Sequence, residues 1–522
     1  MDVHVTVFMF LEVREIIKLS CVSKEYLSLV SHGKLWQAMI AEWFEPGTRS
    51  LCTAMSDAGK RRNQQVDWRT VFLEMRVMFE LKEVLWRERR IISTRLPYNS
   101  GREMSACCMM GSMCVAVAGW INRGPCNDVM MLECAGLEDP TTHSRLEWKA
   151  VKPSGDSPPP MYGHTATLID EHRILVYGGM CRGGYSAILS SLMILTYTPN
   201  NDDEAANKWS WSTPMTANRA PYRGFHAAAF IPANAPGLDD WKEAHPAGVL
   251  AIHGGNGPHG PSDELFFLDI KTWKFSRIDS KGSVPSARNA HRMIFSASQG
   301  TAKLFVFGGG SGNGIARGGE DFDDGYSLDL KRMEWRKLEF KHSIGDTKRV
   351  LGRGASCMML DEAHVLFFGG HHYCRGGGEE EEEEEEEHWG NSGIRFTNNL
   401  RLLDLTTMKW RYPKKQRGRV PGPRAYHICG VYGTHMVFMG GWRAGQYLSD
   451  SNVLSMSPAK WVNEIQHDKK LVETLPDEDT MEEEKDDDDD DGGDGTIPMG
   501  LAEIMRAILA RANNAVIPHG SR

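Results

Sequence analysis

A double glycine preceded by a short apolar run recurs along the chain and constrains the fold more than any other feature. Between residues 118 and 440 the copies lie about 64 residues apart. A repeat of this length indicates an array of similar structural units, so the 522 residues do not form one small domain. The copies are Gly178-Gly179, Gly254-Gly255, Gly308-Gly309, Gly369-Gly370, Gly440-Gly441 and a degenerate Ala118-Gly119.

Each copy has the same companions in the same order. An arginine opens a short strand upstream, and a histidine often follows three places later, as with Arg288 and His291. Copy five is interpreted as Arg353 with Ser356, and copy two as Met161 with His164. An apolar strand and then a tryptophan follow the glycines. The tryptophans that close the copies are Trp148, Trp209 or Trp211, Trp273, Trp335, Trp410 and Trp461.

This order predicts four short strands in each copy. Glycine pairs permit a positive φ where the second strand ends, and a repeated tryptophan supplies an apolar plate between sheets. One four-stranded sheet cannot bury both faces alone, so six sheets are expected to stack radially. The predicted fold class is mainly β, with a six-bladed β-propeller over residues 100–465. The pattern resembles the kelch repeat family.

Two segments compete for the outer strand of the last blade. Trp86 precedes Arg102 by nearly the spacing that separates Trp273 from Arg288, whereas residues 461–465 follow the last copy directly. Spacing alone leaves both possibilities open.

The first 46 residues differ from the repeats because they have a helical period and no glycine pair. They resemble the F-box in three places: the opening run of residues 2–11, the central Leu-Ser-Cys-Val-Ser-Lys of 19–24, and Leu35-Trp36. Residues 47–99 resemble the helical linker that often follows an F-box, with the possibility that they contribute the closing strand. The predicted organisation is therefore a small all-α domain, a linker and a propeller.

The resemblance implies a function. Some forty residues cannot bury this much apolar surface internally, so part of it is interpreted as an interface. F-boxes dock on a Skp-type adaptor and through it on a cullin, which makes the chain the substrate-recognition subunit of a Skp–cullin–F-box ubiquitin ligase. The predicted adaptor-binding residues are Phe8, Phe10, Leu11, Leu19, Val22, Leu29, Leu35 and Trp36.

Two departures from the F-box pattern keep an alternative open. The Leu-Pro that opens the family motif is absent, and His4 stands where an apolar residue is usual. The alternative is a kelch scaffold that binds partners without ubiquitin transfer.

Charge is concentrated in two acidic runs. The formal net charge is −9, but residues 379–387 are nine glutamates, and residues 473–494 hold fourteen acidic residues against one lysine. Without both runs the remaining chain carries about +13, spread too widely to indicate nucleic-acid binding. Blocks of like charge repel themselves. We therefore predict an acidic disordered loop within 371–397 and an acidic disordered tail, 466–522, that ends in a short helix.

The repeated arginines suggest where a target binds. A propeller brings such residues around one central mouth, and a guanidinium pairs with carboxylate or phosphate. We therefore expect an acidic or phosphorylated target. The alternative is that each arginine ties neighbouring blades together. The predicted target-binding residues are Arg223, Arg288, Arg353 and Arg424, with Trp442 as a weaker candidate.

No motif in the sequence indicates catalysis, a cofactor or a metal. The repeated histidines (164, 226, 291 and 427) are interpreted as structural, and the cluster of residues 371–374 with His388 fits no standard zinc spacing. The eleven scattered cysteines are typical of reduced thiols in the cytoplasm or nucleus. No segment predicts a membrane span or a secretory signal. We expect a non-enzymatic adaptor.

Overall fold

The computed structural model describes residues 83–88, 101–135, 137, 148–199, 208–312, 319–341, 351–373, 387–389 and 394–456. Contacts divide the chain into two compact units, and all of these residues belong to the unit formed by Glu45–Gln65 and Glu74–Pro458. The predicted F-box, most of the linker and the acidic tail lie outside the described residues. No helix in the described part of the chain is long and apolar enough to cross a membrane.

Six antiparallel sheets of four main strands form the described structure, one for each copy of the repeat. We number them as blades 1 to 6 and give the strands of each from the inner to the outer edge. They are Ala106–Met110, Met113–Ile121, Gly124–Glu133 and Lys149–Val151 (blade 1); Thr165–Leu168, Arg173–Tyr177, Leu192–Thr198 and Lys208–Ser212 (blade 2); Ala227–Ile231, Val249–His253, Leu265–Asp269 and Lys274–Ile278 (blade 3); Arg292–Ser296, Lys303–Phe307, Gly325–Asp329 and Glu334–Lys337 (blade 4); Ser356–Met359, His364–Phe368, Leu400–Asp404 and Lys409–Arg411 (blade 5); and Ile428–Tyr432, His435–Met439, Ser451–Ser455 and Glu83–Glu88 (blade 6).

Shorter elements lie in the connections. The short strands are Arg102–Glu103, Asn256–Gly257, Gly260–Pro261, Lys281–Gly282, His371–Tyr373, Glu387–Trp389, Ile394–Phe396, Lys415–Arg417, Trp442–Arg443 and Gln446–Tyr447, and the helical turns are Gly184–Ala187, Trp241–Ala244 and Ser298–Gly300.

The inner strands of successive blades contact one another around a ring, and the inner strand of blade 6 contacts that of blade 1. The ring explains why the second strands are continuous apolar runs rather than alternating ones. Each sheet is covered on both faces by its neighbours, so residues such as Leu304 and Phe305 are both buried. The apolar clusters accordingly lie between adjacent blades, as between blades 3 and 4. The predicted six-bladed propeller is confirmed.

The structure decides which segment closes the ring. Glu83–Glu88 pairs antiparallel with Ser451–Ser455 as the outer strand of blade 6. Trp86 is buried, its Nε1 donates a hydrogen bond to Gln416 Oε1 at 2.8 Å, and its ring packs on Phe438 at 5.6 Å. Residues 83–88 are therefore a strand rather than part of a helix, and the alternative that the linker contributes the closing strand is confirmed. Trp461 lies outside the described residues.

One tryptophan of the repeat is placed differently from the prediction. Trp273 lies in the turn before the outer strand of blade 3, with φ +54°. The buried position that Trp335 fills in blade 4, opposite Leu328, belongs in blade 3 to Phe275, opposite Leu268. Met333 and Met408 are the counterparts of Trp273, since both have a positive φ just before an outer strand.

The acidic insertion of residues 371–397 is partly a sheet. Ile394–Phe396 pairs antiparallel with both His371–Tyr373 and Glu387–Trp389. The prediction of one long loop is therefore wrong at both ends of this insertion. Residues 379–386, which are eight of the nine glutamates, lie outside the described residues.

Candidate functional site

The same hydrogen bond joins every pair of neighbouring blades. Two residues with positive φ follow each apolar run. The second of them donates its N–H to a backbone carbonyl of the next blade, and the residue that carries this carbonyl is the repeated arginine in most copies. These bonds are Gly119 to Met161 at 2.9 Å, and Gly179 to Arg223, Gly255 to Arg288, Gly309 to Gly352, Gly370 to Arg424 and Gly441 to Arg102 at 2.8 Å. The last bond closes blade 6 onto blade 1, so the joint runs around the whole ring.

The first glycine of each pair is required by a close approach to the same carbonyl. At Gly254, with φ +61°, a Cβ would lie 2.7 Å from the carbonyl oxygen of Arg288. A carbon cannot approach a backbone oxygen so closely without displacing it, and a positive φ already disfavours a side chain. Ala118 takes this position in blade 1 with φ +51°.

Four of the repeated arginines form ion pairs inside their own blades. Each arginine is at least 94% buried and contacts a carboxylate, which directly precedes the third strand in blades 3, 4 and 6 and lies within that strand in blade 1. Arg288 also donates to the Gly308 carbonyl at 2.9 Å, and Arg424 donates to Gly440 at 3.0 Å. The pairs are Arg102–Asp128, Arg288–Asp324 and Arg424–Asp450, each at 2.7 Å, and Arg223–Glu264.

The charge of Arg424 lowers the pKa of its partner. Burial opposes ionisation of Asp450, but the hydrogen bonds and charge of Arg424 outweigh it, so the pKa of Asp450 lies below its ordinary value. Both members of this pair are therefore charged at neutral pH.

Arg353 does not occupy the position of the other arginines. Gly352 is aligned with them, since it accepts the bond from Gly309, and Arg353 is one residue later. Arg353 pairs with Asp321 at 2.5 Å and donates to Asn289 Oδ1 of blade 4 at 2.7 Å. The predicted equivalence of Arg353 with Arg288 is wrong by one residue, because the glycines around it give no register. Ala355, rather than Ser356, therefore has the place of the histidine.

Blades 2 and 5 lack both members of the ion pair. Met161 and Ser191 stand in blade 2 where Arg288 and Asp324 stand in blade 4. In blade 5 the same two places hold Gly352 and Asn399. The arginine and the carboxylate are thus lost together, as expected when the purpose of each is to neutralise the other.

The structure therefore places the predicted target-binding arginines inside the protein. Arg223, Arg288, Arg353 and Arg424 are each paired with a carboxylate, which favours a structural role for them. Their contact with a target stays a prediction. Trp442 is different, because it is partly exposed and packs on Phe396 with ring centroids 5.1 Å apart.

Six residues with positive φ surround one end of the central channel, which we call the mouth. Backbone hydrogen bonds link five neighbouring pairs of them. The shortest, from Phe225 N to Gly163 O, is 2.7 Å long, and the longest, from Gly354 N to Ala290 O, is 3.4 Å long. The rings of Phe225 and Tyr426, from opposite blades 3 and 6, meet across the channel at 6.4 Å. The six residues are Met104, Gly163, Phe225, Ala290, Gly354 and Tyr426.

Aromatic side chains continue from the channel across the mouth. Trp120 contacts Tyr162 edge-on at 4.9 Å, and Tyr162 contacts Phe225 at 5.9 Å. We define Trp120, Tyr162, Phe225, Tyr426 and Trp442 as the aromatic row, and all five are partly exposed. The sequence prediction missed four of them. For Phe225 and Tyr426 the signal is the aromatic residue between arginine and histidine in Arg-Gly-Phe-His and Arg-Ala-Tyr-His.

The repeated histidines reach back to the preceding blade. Nε2 of His164 lies 3.1 Å from the Val117 carbonyl oxygen, and Nε2 of His226 lies 2.9 Å from Thr165 Oγ1. Nε2 of His291 lies 3.1 Å from His253 Nδ1. Burial lowers the pKa of His164 to about 4 and, with the charge of Arg223, that of His226 to about 3. The predicted structural role is confirmed for these three histidines.

No group of three or more metal-ligating side chains is arranged to hold a metal ion within the described residues. His371 is buried against Phe396 and Tyr426, at 5.5 Å from each ring. Burial, with the charge of Arg353, lowers its pKa to about 3. The predicted adaptor-binding residues, from Phe8 to Trp36, lie outside the described residues.

Comparison with known families finds the "KLHDC2/KLHL20/DRC7 Kelch-repeats domain" over residues 244–471. The chain carries a Kelch-repeat domain. This match spans blades 4 to 6 and part of blade 3, and the structure extends the same four-stranded unit to six blades. No F-box was found by these comparisons.

Curated relatives match rather more than half of the chain. Acyl-CoA-binding domain-containing proteins 4 and 5 of Arabidopsis thaliana are each 24% identical, over 60% and 62% of this chain. The host cell factor homolog hcf-1 of Caenorhabditis elegans is 25% identical over 57% of this chain. The chain spans 40%, 43% and 33% of the length of these three proteins.

Proposed function

We propose that this chain is a non-catalytic recognition protein whose propeller binds a target protein at the mouth. The aromatic row carries the proposal. Large side chains that are partly exposed at the centre of a rigid scaffold are typical of protein interfaces, where aromatic residues supply much of the binding energy. The four arginines of the intrablade pairs are already neutralised, so the row is the better candidate for direct contact.

The comparisons support an interaction role for the propeller. Proteins with names as different as an acyl-CoA-binding domain-containing protein and a host cell factor homolog share a segment with the chain, each over less than half of its own length. A segment shared in this way is expected to be a binding module rather than the domain that holds an active site.

We propose further that residues 1–46 are an F-box, which would make the protein the target-recognition subunit of a Skp–cullin–F-box ubiquitin ligase in the cytoplasm or nucleus. Support comes from the sequence resemblance, above all Leu35-Trp36. In such a complex the chain contributes proximity, since it raises the effective concentration of target lysines near a ubiquitin-loaded enzyme.

The two parts of the proposal separate in one experiment. The full chain, its Leu35→Ala/Trp36→Ala variant and its Trp120→Ala/Trp442→Ala variant are purified from cells by an affinity tag, and co-purifying proteins are quantified. We expect the first variant to lose a Skp-type adaptor and the second to lose the target while keeping the adaptor. Met215→Ala is the matched control, because Met215 is 92% exposed and lies outside the aromatic row.

Each part has its own contradicting result. A wild-type chain that brings down targets but no adaptor would leave the scaffold alternative as the function. Full retention of every target by the Trp120→Ala/Trp442→Ala variant would remove the aromatic row from recognition. An acidic or phosphorylated target, as the positive charge of the chain outside the acidic runs suggests, is tested by phosphatase treatment of the captured proteins.

A further inference from the structure

The inner strands of the ring enclose a cavity of about 230 Å³ in the channel, to which all six blades contribute. We call it the lumen cavity. Most of its lining is small or apolar, with hydroxyl groups from Ser105, Thr165, Thr167 and Ser356. Its four histidines, 164, 226, 291 and 427, are neutral because burial lowers the pKa of each.

Arg292 is the one charged side chain among the residues that line the lumen cavity. It begins the inner strand of blade 4, where its Cα partner is Phe307. The residues at the same register in the other five blades are uncharged. They are Ala106, Thr165, Ala227, Ser356 and Ile428.

The guanidinium of Arg292 has no carboxylate partner in the described part of the chain. Its Nε donates to the Ala355 carbonyl of blade 5 at 2.5 Å, which holds the group in place and leaves the two terminal nitrogens without a protein acceptor. This contrasts with Arg102, Arg223, Arg288, Arg353 and Arg424, all of which are paired. A partly buried charge without a counter-ion lowers the free energy of unfolding. A propeller that required only a filled channel would therefore be more stable with an uncharged residue at this position.

The surroundings of Arg292 suit a small ligand. Arg292 lines the cavity together with Cys107, Cys357 and Cys429, which stand at one register in blades 1, 5 and 6. The three thiols are neutral because burial raises the pKa of each. No carboxylate lines the lumen cavity to repel an anion. A guanidinium whose two terminal nitrogens have no protein acceptor, in a cavity of this volume, fits an oxyanion bound bidentately.

We propose that the lumen cavity is a binding site for a small oxyanion, a phosphate or a carboxylate, held by the guanidinium of Arg292. The site lies inside the ring. Phe225 and Tyr426, which belong to the aromatic row, also line it.

The test is binding of inorganic phosphate and of malonate to the purified full chain. Isothermal titration and melting temperature are measured against chloride at constant ionic strength. We expect saturable binding of at least one anion to the wild type and a loss of at least tenfold in affinity in Arg292→Met. Arg336→Met is the control, because Arg336 is an exposed arginine on the outer strand of the same blade.

A second variant keeps the test decisive if Arg292→Met does not fold. Arg292→Gln retains a donor for the Ala355 carbonyl and removes the charge, and it should show the same loss of affinity. Binding of malonate alone would identify a carboxylate ligand, and binding of phosphate alone a phosphate. The proposal is overturned if neither anion binds the wild type, or if Arg292→Gln binds as tightly as the wild type.

Discussion

Blades 4 and 2 differ at the two positions where most blades have an arginine–carboxylate ion pair. In blade 4, Arg288 lies before the inner strand and forms an ion pair with Asp324, which lies just before the third strand. The guanidinium of Arg288 packs over the ring of Phe322 at 4.5 Å. Blade 2 has Met161 and Ser191 in the same places and no charge. Both blades nevertheless keep the backbone bond from a glycine to the next blade, at 2.8 Å.

The difference teaches which part of the repeat makes the ring. The glycine joint is present at all six interfaces, whereas the ion pair is present in four blades. The joint is therefore the general connection between blades, and the ion pair strengthens individual blades. A buried charge is tolerated only beside its counter-charge, so each blade has either both the arginine and the carboxylate or neither.

Breaking the ion pair on one side should have the largest effect. Arg288→Met leaves Asp324 without its counter-charge, and we expect a loss of about 3 kcal/mol in the free energy of unfolding, measured by denaturant titration. Adding Asp324→Ser converts blade 4 to the blade 2 arrangement and should restore most of that loss. A double variant no more stable than Arg288→Met would show that the arginine acts through packing alone.

The glycine joint should be the next most sensitive feature. Gly254→Ala introduces a Cβ 2.7 Å from the Arg288 carbonyl oxygen at a positive φ, so we expect a loss of about 2 kcal/mol. Ala118→Gly is the reverse change at the equivalent position of blade 1 and should leave the denaturation midpoint nearly unchanged or raise it. Equal tolerance of alanine at both positions would mean that the joint adapts, which contradicts the close-approach argument.

The histidines predict how acid weakens the interfaces. The pKa of buried His226 lies at about 3, below the ordinary 6.5, so the unfolded chain binds a proton that the folded chain does not. Its contribution is complete above pH 6.5 and is lost as pH falls from there through about 3. We expect the melting temperature to fall over this range and the slope to be shallower in His226→Gln. An unchanged slope would assign the acid sensitivity to other groups.

Adding the ion pair to blade 2 should have the smallest effect. Met161→Arg with Ser191→Asp copies the residues of blade 4, and the gain is expected to stay below about 1 kcal/mol, because burying two charges offsets most of their attraction. Thermal denaturation of the double variant and of Ser191→Asp alone checks this. A large gain would show that ion pairs, rather than glycine joints, limit the stability of the ring.

The sequence predicts the ring well because its signals are local. Glycine pairs, apolar runs and tryptophans recur in one order, so six blades follow from the repeat. The misplaced residues depend on register: Arg353 lies in a glycine-rich stretch, and Trp273 lies two residues before the aromatic side chain that is buried. Side-chain contacts between blades, such as Phe225 with Tyr426 or Arg292 with the Ala355 carbonyl, have no sequence spacing to reveal them.

The strand Glu83–Glu88 has a consequence for how the protein is made. Among the described strands it is synthesised first, whereas its partner Ser451–Ser455 is synthesised last, more than 360 residues later. Until then blade 6 does not exist, and five finished blades would expose the unpaired edges and apolar faces that promote aggregation. The ring can therefore be locked only after translation of the last repeat. Expressed fragments that start at residue 100 would lack the strand that completes blade 6.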